Sequence, residues 1–334
     1  NSLLRIRGDR EEMSPDAKEQ PASEASQAHL AGPPRVIAEI GTGHGGDLRK
    51  ASELIHAASE AGAQVAKFQA VFAEEIVHPK AGTLELPGGS VAIYERFREL
   101  EQPPEFYAAL QEECLERGIG FLCTPFGLRS AELLSRLWVR EWKIASPEIN
   151  HLTLLSYLGE TGLPVILSAG VSTLSDIELA LDTLRTHGET EVTLLHCVTS
   201  YPAPPEEYNL NLLPHLATLL EVEVGVSDHS RDPELVPGLA VLKGATVIEK
   251  HITLSQAGGG LDDPIALEPA EFAKTVSTTR TVWQLLRSGA KQNTILEEFR
   301  QSFGGSVVDQ VLGTGAKRLA PSESPFYGST NRSI

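Results

Sequence analysis

Residues 222–254 read VEVGVSDHSRDPELVPGLAVLKGATVIEKHITL, and the punctuation of this stretch decides the fold. Val222–Val226 is a short β-branched run, Pro233–Lys243 carries a helical pattern of apolar residues, and Thr246–His251 is a second β-branched run. Gly244 separates helix from strand. Glycine suits the position just past a helix C-terminus because, lacking Cβ, it takes a left-handed conformation without a clash. Strand, helix, glycine and strand within roughly thirty residues is the length of one βαβ unit, which implies parallel strands.

The same rhythm recurs toward the N-terminus. Strands are expected at Val36–Ile40, Gln64–Gln69, Gly120–Cys123, Glu141–Ala145, Pro164–Ser168 and Val192–His196, which with the first two make eight. Between them lie helical patterns at Leu48–Ala61, Pro104–Arg117, Ser130–Leu137, Leu152–Thr161 and Thr173–His187, with Gly62, Gly118, Gly162 and Gly188 at their ends. Eight strands alternating with helices predict a (β/α)8 TIM barrel, an α/β fold, with a doubly wound open sheet as the competing arrangement. Residues 1–32 read as a polar extension expected to be disordered, with four basic and six acidic residues in the first thirty. Residues 33–290 form the expected barrel domain. Residues 291–334 form a C-terminal helix and a Gly-, Ser- and Pro-rich linker arm.

Composition narrows the function classes. The chain has 334 residues, 45 Asp and Glu against 28 Lys and Arg, and a formal net charge of −17. That balance, without any basic run, argues against nucleic acid and anionic membranes as partners. No apolar stretch approaches the ~18 residues of a membrane span, and the first residues are too polar for a signal peptide. Cys114, Cys123 and Cys197 show no metal or redox spacing and read as reduced thiols, so the cytoplasm is the expected location.

In a barrel, reacting groups collect at the C-terminal ends of the strands. Those ends here carry Glu39, Lys67 with Gln69, Thr124, Lys143 with Ser146 and Glu148, Ser168, His196 with Thr199 and Tyr201, Ser227 with Asp228 and His229, and Glu249 with Lys250 and His251. His229 and His251 follow neighbouring strands. Two imidazoles with carboxylate, water or substrate oxygens can hold Mn, Fe, Co or Zn, with Asp228 and Glu249 nearby. Each could instead hydrogen-bond a loop. His196 reads as a core histidine before a ligand, and His44 as either substrate-facing or a loop strut. Lys67 and Lys143 sit inside apolar strands and require an anion. This is either an internal carboxylate, such as Glu39 or Glu148, or a bound phosphate or carboxylate amid the hydroxyls of Thr124, Ser146, Ser168 and Ser227.

The motifs IAEIGTGHGGD (37–47), KFQ (67–69), CTPF (123–126), KIAS with Glu148 (143–148), ILSAG (166–170), LLHCVTSYPAPPEEYNL (194–210), VGVSDHS (224–230), IEKHITL (248–254) and LEPAEF (267–272) together resemble the sialic acid synthases, the N-acetylneuraminate synthase group. The resemblance runs from about Pro33 to Ile334. It implies a TIM barrel and the condensation of phosphoenolpyruvate with an N-acyl hexosamine to give a sialic-acid-like nonulosonic acid and phosphate. It implies a divalent metal, Mn2+ with Mg2+ or Co2+ as alternatives, on His229 and His251. It places phosphoenolpyruvate on Lys67, Thr124, Lys143, Ser146, Ser168, Thr199 and Ser227, and the sugar on Glu148, Tyr201 and Asp262. Glu39, Lys67 and Lys143 become the catalytic set, in a homodimer. Another metal-dependent barrel aldolase or lyase, and a non-catalytic barrel, are the other readings of the same residues.

The chain departs from that pattern in the loops. Gly43-His44-Gly45-Gly46 stands where the family shows Asn-His-x-Gly, Gly260-Leu261-Asp262-Asp263 where it shows Gly-Pro-Asp-His, Ala266 where it shows a small polar residue, and Thr199 where it shows Asn or Ser. All but Thr199 belong to loops expected to face the sugar, so an acceptor other than N-acetylmannosamine is expected. The family continues beyond an Arg-Ser-Ile-like sequence into a small antifreeze-like domain, whereas this sequence stops at Arg332-Ser333-Ile334.

Overall fold

A computed structural model describes residues 32–86, 89–324 and Tyr327. The expected extension, 1–32, lies outside the described residues except for Gly32. Among the described residues there are ten strands: β1 Arg35–Gly41, β2 Val65–Ala70, β3 Thr83–Leu86, β4 Gly89–Ala92, β5 Gly120–Pro125, β6 Trp142–Ile144, β7 Val165–Ser168, β8 Val192–Cys197, β9 Glu223–Asp228 and β10 Val247–His251. Eight of them form one parallel sheet in the order β5-β2-β1-β10-β9-β8-β7-β6. The outer members β5 and β6 lie against each other, so the sheet curls into a nearly closed (β/α)8 barrel. The open doubly wound sheet is thereby excluded.

Each helix forms for local reasons. Leu48–Glu60 starts where Asp47 Oδ1 accepts the Arg49 N–H at 2.8 Å, a cap worth ~1 kcal/mol. Its buried face, Ala51, Leu54, Ile55 and Ala58, repeats at helical spacing and packs on the sheet. It stops at Gly62, whose φ of +90° turns the chain into β2. Gly118, Gly162 and Gly244 do the same, whereas Gly188 does not, because its helix already ends at Arg185.

Inside the barrel the period of two sets the layers. Ile37, Val65, Leu122, Ile166, Leu195 and Val247 form an apolar plug. Gly225 fills the β9 place in this plug, since a Cβ there would strike the Val247 carbonyl oxygen and approach Leu195 Cδ2 to 2.7 Å. Gly225→Ala is therefore expected to cost ~1–3 kcal/mol by overpacking and to lower Tm by several degrees in a thermal melt.

Two parts were not legible in the alternation. Between β2 and the helix Pro104–Glu116 come a one-turn helix Ala73–Ile76, the antiparallel hairpin β3–β4 and a helix Ile93–Leu100. The tail, expected as an arm, carries a helix Gly305–Leu312 that buries Val308, Val311 and Leu312. Leu210 and Asn211 N–H groups tie this helix to the barrel through the Val311 and Leu312 carbonyls, at 3.0 and 2.8 Å. Among the described residues no helix is long and apolar enough to cross a membrane.

Candidate active site

Two residues above each plug position, the inward side chains turn polar: Glu39, Lys67, Thr124, Ser168, Cys197, Ser227 and Glu249. Lys143 of β6 joins this layer. Two residues higher still come Gln69, Thr199, His229 and His251. All these groups line one cavity of about 270 Å³ at the C-terminal mouth of the barrel, together with Ser146, Tyr201 and Asp262.

The charges in the polar layer are interlocked. Lys67 Nζ donates to Glu39 Oε2 at 2.7 Å and lies 3.3 Å from Glu249 Oε1. Gln69 Nε2 donates to the other Glu39 oxygen at 2.7 Å, and Ser227 Oγ donates to Glu249 Oε1 at 3.0 Å. Burial opposes the charge on Lys67, but Glu249 and Glu39 outweigh it and raise the lysine above its ordinary range. Burial likewise opposes the charge on Glu249, yet Lys143 and Lys67 hold that carboxyl at about 2.

Lys143 is placed differently. Its Nζ donates to Ser168 Oγ at 2.6 Å and to the Ile144 carbonyl at 2.9 Å, while Glu249 Oε2 stands off at 3.8 Å. Burial dominates and lowers Lys143 to about 8. Thr124 Oγ1, fully buried, has no hydrogen-bond partner. A buried cation without a directly bonded carboxylate, in one cavity with an unsatisfied hydroxyl, has the composition that suits an anion. The internal pair foreseen for Lys67 exists with Glu39, and the carboxylate 3.8 Å from Lys143 is that of Glu249.

His229 and His251 face each other with ring centroids 5.4 Å apart. His229 Nδ1 donates to the Val198 carbonyl at 2.8 Å, and its Nε2, on the cavity side, lies 3.3 Å from the Tyr201 hydroxyl. The Tyr201 ring stacks on His229 at 4.3 Å. Burial lowers His251 to about 3, and Asp262 Oδ2 lies 3.9 Å from its Nδ1. Burial raises the Asp262 carboxyl. Among the described residues no group of three or more His, Cys, Asp and Glu is arranged to hold a metal. Two imidazoles therefore fit a metal only as a pair, with its other positions filled by oxygen from outside the protein.

The remaining candidates separate. Asp228 is engaged by Lys250 at 2.6 Å, Tyr208 OH at 2.5 Å and Ser230 N–H at 2.8 Å, so it braces β9. His196 Nε2 donates to the Tyr208 carbonyl at 2.5 Å and lies outside the cavity lining, in the core role expected of it. His44 accepts the Gly46 N–H at 3.0 Å and packs on Phe106, which makes it a loop strut. Glu148 is buried in the turn Ser146–Glu148, likewise outside the cavity lining. Glu249, Gln69 and Leu261, noted in the sequence but given no binding role there, line the cavity, as do Ile76 and Phe97, which sequence reasoning missed. The signal for Glu249 was its place midway between Val247 and His251 on the inward period of β10.

A parallel barrel whose strand C-termini gather cations, hydroxyls and paired imidazoles in one cavity has the make-up of a TIM-barrel enzyme. Residues 54–291 match the NeuB family, well over half of the chain, and the chain belongs to that family. The spore coat polysaccharide biosynthesis protein SpsE of Bacillus subtilis is 39% identical over 256 residues, covering 76% of this chain and 69% of that protein. Its crystal structure superposes with a TM-score of 0.75 at 35% identity, covering 89% of this chain and 77% of that one. The N,N'-diacetyllegionaminic acid synthase of Legionella pneumophila is 36% identical over 265 residues, 77% of this chain and 74% of the relative. The N-acetylneuraminic acid (sialic acid) synthetase of Leptospira borgpetersenii, solved with citrate, gives a TM-score of 0.70 at 35% identity, covering 81% of this chain and 93% of that one. The chain is thus an enzyme of the synthase kind, a carbon–carbon bond-forming transferase.

Proposed function

We propose that the protein condenses phosphoenolpyruvate with an N-acyl hexosamine, N-acetylmannosamine or a related sugar, giving a sialic-acid-like nonulosonic acid and phosphate. The observation that carries this reading is Lys143, a buried cation that shares with the unsatisfied Thr124 hydroxyl the cavity that His229 and His251 also line. Relatives named as synthases of legionaminic, pseudaminic and neuraminic acids support it.

Lys67, Lys143 and the hydroxyls of Thr124, Ser146, Ser168, Thr199 and Ser227 bind the phosphate and carboxylate of the donor. Tyr201 and Asp262 stand at the mouth for the sugar, with Gln69, Phe97 and Leu261. His229 and His251 would hold a divalent ion, Mn2+, Mg2+ or Co2+, which when bound supplies Lewis acidity toward the sugar aldehyde. C3 of phosphoenolpyruvate bonds to the aldehyde carbon, whose oxygen takes a proton and becomes a hydroxyl. Water adds at C2 and gives its proton to Glu39, which Lys67 and Gln69 hold in place. The C2–O bond to the phosphate then breaks and phosphate leaves, while the C2 hydroxyl gives up its proton to solvent and becomes the keto oxygen. The three buried free cysteines accord with a cytoplasmic, reducing setting.

Phosphate release that requires donor, amino sugar and divalent ion together tests the reading. Release without a sugar, or none with any acyl-hexosamine, would sink it. Comparing acyl-hexosamines tests the altered acceptor, and highest activity with N-acetylmannosamine would count against it.

The donor affinity should also depend on pH. Lys143 is charged below about 8 and neutral above it, and only the charged form attracts an anion. The Kd for phosphoenolpyruvate is expected to be flat at neutral pH and to rise by up to about tenfold per pH unit above 8. Titration calorimetry from pH 6.5 to 9.5 measures this, with a flat profile as the contrary result.

A further inference from the structure

The tail returns to the mouth of the barrel. Glu323, 2% exposed, takes the Val171 N–H at 2.9 Å and the Thr199 N–H at 2.7 Å on one carboxylate oxygen, and the Ala320 N–H at 3.2 Å on the other. One side chain far along the sequence thereby staples the loop after β7 to the loop after β8. Both loops carry groups assigned to the donor. Ser168 and Gly170 lead into Val171, and the Gly170 N–H donates to Ser146 Oγ at 3.0 Å. Val171 holds φ of +47°, a conformation a β-branched residue adopts only when its surroundings impose it. A Cβ on Gly170 would strike Thr199 Oγ1 and meet Ser146 Oγ at 3.0 Å and Glu323 Oε1 at 3.1 Å, so three side chains converge on one backbone point.

Glu323 does not line the cavity. Its carboxylate is satisfied from behind the wall, and Lys317 of the same tail segment reaches the Ala169 carbonyl at 3.4 Å. We propose that Glu323 is a positioning residue of the donor site, fixing Thr199 and the Ser168–Val171 loop in the arrangement that binds the phosphoenolpyruvate anion. The C-terminal segment is then a working part of the site. The inference rests on the donor assignment above.

Calorimetric binding of phosphoenolpyruvate, with steady-state KM for both substrates, tests it on the full chain. Glu323→Ala removes both loop hydrogen bonds and is expected to raise Kd and KM for phosphoenolpyruvate about tenfold, with KM for the sugar unchanged. Glu323→Gln keeps an oxygen for both N–H groups and is expected to return most of that loss. Glu323→Asp, a methylene short, is expected to behave as the alanine variant and supplies the measurement if the alanine chain does not fold. Parent-like donor binding in Glu323→Ala overturns the positioning role alone. So does a parallel rise of both KM values with a fall in Tm that Gln does not reverse. A parent protein that binds no phosphoenolpyruvate overturns the donor reading and the Glu323 role with it.

Discussion

Replacing Lys143 with methionine is expected to weaken phosphoenolpyruvate binding by about 100-fold or more while the barrel stays folded. Methionine keeps most of the stem and its packing, so the change isolates the charge. The ammonium is bonded to a serine hydroxyl and a backbone carbonyl, with its nearest carboxylate at 3.8 Å. Removing it therefore leaves Glu249 without one of two cations, but breaks no tight ion pair. Lys67→Met should behave differently. Lys67 touches both Glu39 and Glu249, so its loss strands two buried carboxylates near one another. That variant is expected to lose donor affinity and also ~3–5 kcal/mol of stability. Calorimetry with phosphoenolpyruvate and thermal melts separate the two patterns, and unchanged donor affinity in both variants would refute the anion site.

The second large effect is expected at the imidazole pair. His229→Ala and His251→Ala should each lower turnover by about 1000-fold or more, because a polarising ion at the sugar aldehyde contributes several kcal/mol to the barrier. Binding of Mn2+ alone, followed by its paramagnetic resonance signal, gives the independent reading: the parent should bind and the double variant should not. The Val198 carbonyl holds His229 Nδ1–H, so Nε2 would be the ligating atom, exchanging its proton or its Tyr201 hydroxyl contact for the ion. A double variant that binds Mn2+ as the parent does would move the metal elsewhere.

Much of this site is written in single strands. The period of two in Val247-Ile248-Glu249-Lys250-His251 sends the first, third and fifth side chains inward, and Val65, Lys67 and Gln69 repeat the pattern on β2. Strand positions came within one or two residues because β-branched runs bounded by helix-ending glycines are local signals. The hairpin β3–β4 lacked that support: it lies between helices and pairs only with itself. The helix Gly305–Leu312 was obscured by the Gly- and Ser-rich composition around it, although Val308, Val311 and Leu312 fall at helical spacing.

Partnership across the barrel was not written locally. β1 and β2 are neighbours, so the Glu39–Lys67 pair follows from parallel register. Lys143 on β6 meets Glu249 on β10 only because the sheet curls, since three strands separate them in the order of pairing. Glu323 reaches Val171 and Thr199 only because the tail folds back over the mouth. The sequence by itself determined the barrel, the inward side chains and the lysines, hydroxyls and imidazoles gathered at the strand ends, because those depend on backbone periodicity. The tertiary structure decided which lysine holds which carboxylate, which histidines face the cavity, and that the tail packs behind the wall of the site. Those depend on distances through space, which no local period encodes.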